Sequence, residues 1–220
     1  MGKSRSIRYI KLVKEIHDLR MYLLPNAFDL AGDYTQEVMV KALAFRVLAH
    51  AGIESYIEEC ALDLAKKAVI AWKREKKASC TLMGLLAFSG RSMEQPPETI
   101  EPDDEKRTRE WNDKIHLTNK IDIAMRSFGF MVKNNNGIKE KNVLSLLLPV
   151  GFDANALDRT WLLDMDNFGM MRGDAAHRFT GGLCANQQIN PADEWQAVKS
   201  LLRKGLCKVD DNIERIINEL

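Results

Sequence analysis

Long apolar runs are missing from this 220-residue sequence. The clearest, TLMGLLAF at 81–88, falls well short of the roughly 18 residues that a membrane-crossing helix needs. Net charge is nearly missing too: 32 lysines and arginines stand against 31 aspartates and glutamates, for a formal +1. That balance excludes a general coat on nucleic acid, because non-specific affinity grows with the number of phosphates neutralised; any contact with RNA or DNA has to come from a local patch. Cysteine is sparse. Cys60, Cys80, Cys184 and Cys207 include no C-x-x-C pair, and none stands in zinc-finger order with a histidine, so neither a disulfide framework nor a zinc module is expected. The amphipathic start, MGKSRSIRYIKLVKEI, holds no apolar core of signal-peptide length, and with the scattered thiols it gives the expectation of a reducing, cytoplasmic setting. Strand alternation, internal repeats, the phosphate-cradling G-x-x-x-x-G-K-[ST] loop and the zinc motif H-E-x-x-H are all lacking.

What fills the chain is helical periodicity. The length and an ordinary 45% hydrophobic content suit one all-α domain over residues 1–220, a helical bundle. The first helix is expected from about Ser6 to Leu24, with Ile10, Val13, Ile16 (or His17), Leu19 (or Arg20) and Leu23 inside and Pro25 as its stop. A long second helix is expected to begin at Asp33, as N-cap of a capping box with Gln36, and to run to about Lys76. Its inner stripe is Leu43, Val47, Ala51, Ile57, Leu64, Ala68 and Trp72, with Gly52 as the weak point. Residues 79–89 read as a short buried helix. Residues 90–104 carry three prolines and five acids without periodicity and read as an exposed, inserted loop. A helix from about Asp104 to Val132 follows, with Ile115, Ile121 (or Asp122), Met125 and Phe128 inside; KNNNG ends it, since asparagine and glycine tolerate a left-handed backbone. Three more helices complete the chain. One ends at Pro149, one is capped by Asp158 and runs through Trp161, Leu162, Met165 and Phe168, and the last opens on Asn190-Pro191 with Asp193 and Glu194 in its first turn.

The helix begun by Asp158 leads into NFGMMRGDAAHRF, 167–179, where Arg172 and His177 stand five positions apart. Five residues of ideal helix turn by about 500°, which leaves the two side chains about 140° apart. Either the helix ends at Gly173 and Asp174 caps a new turn, or the pair converges across two chains. Such a pair suits cleavage of RNA. Arginine offers a phosphate a permanent positive fork, and an unperturbed histidine, titrating near 6.5, both accepts and donates a proton at neutral pH. The ribose 2′-hydroxyl is a built-in nucleophile, so no metal or other cofactor is expected. The plainer alternative is two surface or core-satisfying side chains. Arg46 and His50, four apart on the long helix, have a similar spacing and read as structural; His17 and His116 lie in charged or polar stretches. Asp164 and Asp166 are spaced like a metal pair but point apart on a helix. The basic stretch KKAVIAWKREKK, 66–77, is a solvated helix end or a patch for a nucleic-acid backbone.

Two stretches carry a family resemblance. Residues 134–177 hold the GIKEKN run, LLLPVG, the LD-x-TWL start, FG and R-G-[acid]-x-A-H, in that order, and this stretch resembles the RiboL-PSP-HEPN proteins. FRVLAHAGIESYIEECALDLA, 45–65, resembles the second helix of that family. The resemblance implies a HEPN-like bundle of four or more helices, of the kind found in prokaryotic defence and toxin–antitoxin loci, with an R-x4-6-H motif at Arg172 and His177. It implies a homodimer whose two motifs meet in one composite site, RNA as substrate and metal-independent endoribonuclease activity. An antitoxin or other defence-system protein is implied as a further partner, and no membrane. A polar residue often follows the arginine in the wider superfamily. Here Gly173 does, and the acid comes next, at Asp174. Asp174 takes the orienting role, or that role is missing and the chain is a non-catalytic HEPN module that binds RNA or a partner protein. Glu54 is either an orienting carboxylate for Arg172 or His177 or a helix-surface acid.

Overall fold

Ser6 opens the architecture. Its hydroxyl accepts the Tyr9 N–H at 3.0 Å and starts α1, Ile7–Leu23. The computed structural model describes residues 5–29, 31–90, 116–177 and 189–220, and of residues 174–177 the backbone alone. On α1 the buried residues are Tyr9, Leu12 and Ile16, whereas Ile10 and Val13, expected inside, are 55% and 37% exposed. Two apolar stripes run side by side on this helix, and periodicity alone does not say which one meets the core.

The second helix, α2, spans Gln36–Glu75. Its N-cap is Thr35, not Asp33: the Thr35 backbone is extended and its hydroxyl accepts the Val38 N–H at 3.4 Å, two residues later than the expected capping box. At 40 residues it is about 60 Å long, and it touches each of the other described helices. Its inner face is built from small and branched residues, Ala42, Phe45, Ala49, Ile53, Ile57, Leu64 and Ala68, while Ala51, expected inside, is exposed. Lys76 ends it in the left-handed region at φ 57.

α3, Cys80–Ser89, is capped by Ser79 and buries Thr81, Leu82 and Leu85, but leaves Met83 and Phe88 outside, so it is half-buried rather than buried. Gly90 ends it. The remainder of the expected inserted loop, the expected helix start at Asp104 and Ile115 lie outside the described residues. α4, Leu117–Lys133, buries Ile121 and Phe128 and packs Met125 at the edge. The left-handed turn after it falls on Gly137, φ +123, and not on the asparagines. α5, Glu140–Leu147, does not stop before Pro149 but tightens into a 3-10 turn, Leu148–Val150, that the proline fits; Gly151, φ +90, ends it. That turn lies against α3, where a Cβ on Gly84 would come within 2.6 Å of the Pro149 carbonyl.

α6, Arg159–His177, starts as expected: Asp158 Oδ1 accepts the N–H groups of Thr160 at 3.0 Å and Trp161 at 3.3 Å. Trp161, Leu162, Met165 and Phe168 are all buried. α7, Pro191–Leu201, is capped by Asn190, and α8 is Cys207–Glu219. Between them Leu202–Leu206 forms a π turn. The Trp161 ring presses on Gly205 so closely that a Cβ there would sit 2.0 Å from it. Carbonyls where α7 passes into this turn are used: Trp161 Nε1 donates to Leu201 O at 3.1 Å and the Tyr9 hydroxyl to Leu202 O at 2.9 Å. Among the described residues there is no strand, and no helix is long and apolar enough to cross a membrane.

Candidate functional site

Arg46, His50, Glu54 and Glu58 recur every fourth residue along α2, so they form one slowly drifting row on its surface. The row lies under α6 and the 134–142 turn. Arg46 is buried and grips Glu194 of α7 with two donors, Nε to Oε2 at 2.8 Å and Nη2 to Oε1. Its third arm, Nη1, reaches the Met171 carbonyl at 3.4 Å, one residue before Arg172. Glu194, expected only as a first-turn acid, is thus a buried counter-ion fixed by a helix 148 positions away in sequence.

His50 is 1% exposed. Its ring stacks on Phe168 of α6 at 6.2 Å between centroids, and Nδ1 lies 3.5 Å from Glu54 Oε2 without a hydrogen bond. Burial, and secondarily the positive charge of Arg172, lower its pKa to about 4. The imidazole is therefore neutral at neutral pH, with Arg172 near enough to disfavour its charged form.

Glu54 is not a plain surface acid. Oε1 accepts the Gly137 N–H and lies 3.3 Å from Asn135 Nδ2. Asn135 also donates to Glu58 at 2.7 Å and accepts from Asn142 at 2.9 Å. Burial raises the Glu58 pKa, against the lowering effect of the Asn135 bond. The turn that follows α4 is thereby tied to α2, and the two stretches of the family resemblance, 45–65 and 134–177, meet in one polar layer. Glu54 contacts that turn and His50; Arg172 is within electrostatic reach of His50.

Arg172 itself is half-buried, as is Gly173, around which a Cβ would meet nothing within 4 Å. The helix does not break at Gly173: α6 runs on to His177. One of the two expected geometries, a new turn capped by Asp174, is thus overturned, and Arg172 and His177 leave one continuous helix about 140° apart. The side chains of Asp174 and His177 lie outside the described residues. Next to the motif, Leu163 and Met170 stand 59% and 45% exposed, seven positions apart on α6.

The other sequence candidates settle into structural places. Asp166 accepts the Glu140 N–H at 3.2 Å at the head of α5, and among the described residues no three His, Cys, Asp or Glu side chains cluster as a metal site would need. Trp72 turns inward, its indole N–H 3.4 Å from Thr118 Oγ1, while Lys73 pairs with Asp122 at 2.8 Å. Arg46, His50 and Glu194 were not picked out as a group by spacing alone; the available signal was a polar residue every fourth place in phase with buried Ala42, Ala49 and Ile53. No protein-family model, curated protein or solved structure matches the chain.

Proposed function

We propose that the chain is a metal-independent endoribonuclease that works as a homodimer in prokaryotic defence or as a toxin. Arg172 stabilises the charge on the scissile phosphate. His177 moves the proton, either from the attacking 2′-hydroxyl or to the leaving 5′-oxygen. The observation that supports this most is the setting of Arg172: a half-exposed cation within electrostatic reach of the buried His50, which stands in the polar row of Arg46 and Glu54, on a helix that continues to His177. A neutral His50 that is costly to bury marks the kind of place where function, rather than stability, keeps polar groups. A separation of about 140° on one helix favours two chains over one for bringing arginine and histidine to the same phosphate. The exposed Leu163 and Met170 give a second copy an apolar strip to cover beside the motif.

The test is cleavage of a labelled RNA in excess EDTA, with the product ends analysed. Cleavage leaving 2′,3′-cyclic phosphate and 5′-hydroxyl ends, lost in His177→Ala and Arg172→Ala, is the expected result. If His177→Ala cuts as fast as the parent chain, the proposal is wrong. Binding of RNA or of a partner protein without any cleavage would instead favour the non-catalytic reading left open by Gly173.

A further inference from the structure

The stripe of α1 that does not enter the core has a setting of its own. Ile10 and Val13 join Trp195 and Leu202 as the floor of a groove of about 680 Å3 between α1 and the α7–π segment. Trp195 is braced from beneath by an edge contact with Phe45, ring centroids 6.2 Å apart. Lys14, His17, Lys199 and Arg203 stand around that floor, and no carboxylate lines it. The opposite flank of α1 is different. There Arg5 pairs with Asp211, Arg8 with Glu59 and Asp63, and Lys67 with Asp63. The groove therefore combines an apolar floor with three cations, Lys14, Lys199 and Arg203, that its own walls do not neutralise.

We propose that this groove is the docking site for an acidic amphipathic helix of a partner protein. The floor asks for apolar anchors. The gap between two helices admits a third, whose anchors recur every third and fourth residue. The rim asks for carboxylates on both sides of that apolar stripe. Strand addition has no template here, because the described residues contain no sheet edge. A nucleic acid would use the rim but leave Ile10, Val13 and Leu202 without a matching surface. The site is separate from Arg172 and stands whether or not the chain cuts RNA.

The probe is a pair of synthetic helical peptides with leucines at every third and fourth position and either glutamate or lysine elsewhere, their binding followed by fluorescence anisotropy. The glutamate peptide is expected to bind and the lysine peptide not. Val13→Glu is expected to weaken binding by about tenfold or more, since an anchor at the centre of a groove carries most of the affinity. Lys14→Glu combined with Lys199→Glu is expected to transfer the preference to the lysine peptide. These positions are at the surface, so thermal unfolding of each variant should match the parent chain; should a variant unfold, the preference of the parent chain between the two peptides still decides. Equal binding of both peptides, no binding of the glutamate peptide, or a preference unmoved by the charge swap would overturn the proposal. So would a mixed-sequence RNA that binds the parent chain, loses affinity in the lysine variants and is indifferent to Val13→Glu.

Discussion

Tyr56 and His50 stand on the same helix and both are buried, but their polar atoms are treated differently. The Tyr56 hydroxyl donates to Asp210 at 2.9 Å, and the same carboxylate accepts the backbone N–H of Ser6 at 3.0 Å and the Ser6 hydroxyl. Arg5 adds a bridge to Asp211 at 2.6 Å and a bond to the Cys207 carbonyl at 2.7 Å. Those contacts lock the head of α1 and the middle of α2 to α8, and the neighbouring Cys60 thiol is pushed up to about 11 by burial, which leaves it inert at neutral pH. At His50, by contrast, Nδ1 has no hydrogen bond and a second cation stands near. A satisfied buried network fixes a structure; a buried ring nitrogen without a partner costs stability at its own position.

The comparison can be broken most forcefully at Arg46. Arg46→Ala leaves Glu194 buried without its counter-ion and is expected to cost about 3–5 kcal/mol in urea unfolding, whereas Arg46→Met combined with Glu194→Met should recover most of that loss. If the single and double variants unfold alike, the pair is not the anchor described. The next effect is in pH. Because the folded His50 titrates near 4 and an unfolded histidine near 6.5, the unfolded chain binds the proton first as pH falls. Stability from this group is full above 6.5 and is lost progressively down to about 4, by about 3 kcal/mol in all. Unfolding curves of His50→Gln should lack this component, so the gap between variant and parent closes as pH drops. At the satisfied cluster, Tyr56→Phe removes one hydrogen bond to a carboxylate and should cost about 1–2 kcal/mol with no such pH signature. The smallest stability change is expected for Arg172→Gln, within about 0.5 kcal/mol, yet it should raise the His50 pKa in an NMR titration by removing a nearby positive charge. An unchanged His50 titration would separate the two residues and dissolve the site as drawn.

Much of the fold was readable because it rests on local chemistry. Asp158 and Asn190-Pro191 cap the helices they were expected to cap, since capping needs only a side-chain oxygen two or three residues from an open N–H. Thr35 replaced Asp33 because both are competent caps and only the actual backbone turn chooses between them. Ile10 and Val13 on α1 and Ala51 on α2 were misplaced where apolar residues fall on two adjacent stripes, while Ile16, Leu19 and Leu23 meet the core as expected. At the candidate site, Arg172 and His177 were visible as a motif and Glu54 as an acid of interest. The pairing of Arg46 with Glu194 was not, since a contact over 148 positions leaves no trace in spacing. Asn135 was legible only in part: its bond to the Gly137 carbonyl at 3.0 Å is local to the turn, but its bond to Glu58 crosses to another helix and leaves no trace in spacing.

The π turn at Leu202–Leu206 ties the two clusters together by phase. Glu194 and Asp210 are sixteen positions apart, which on an uninterrupted α-helix would put them about 160° from one another, on opposite sides. A π turn absorbs one residue and takes back about 100°, so the two carboxylates come within about 60° and can both address α2, one at Arg46 and the other at Tyr56. A one-residue deletion at the exposed Lys204 would therefore remove only the slack link: the turn would close as ordinary α-helix, the angle between the two carboxylates would stay at about 60°, and the side chains of α8 would keep step with their partners.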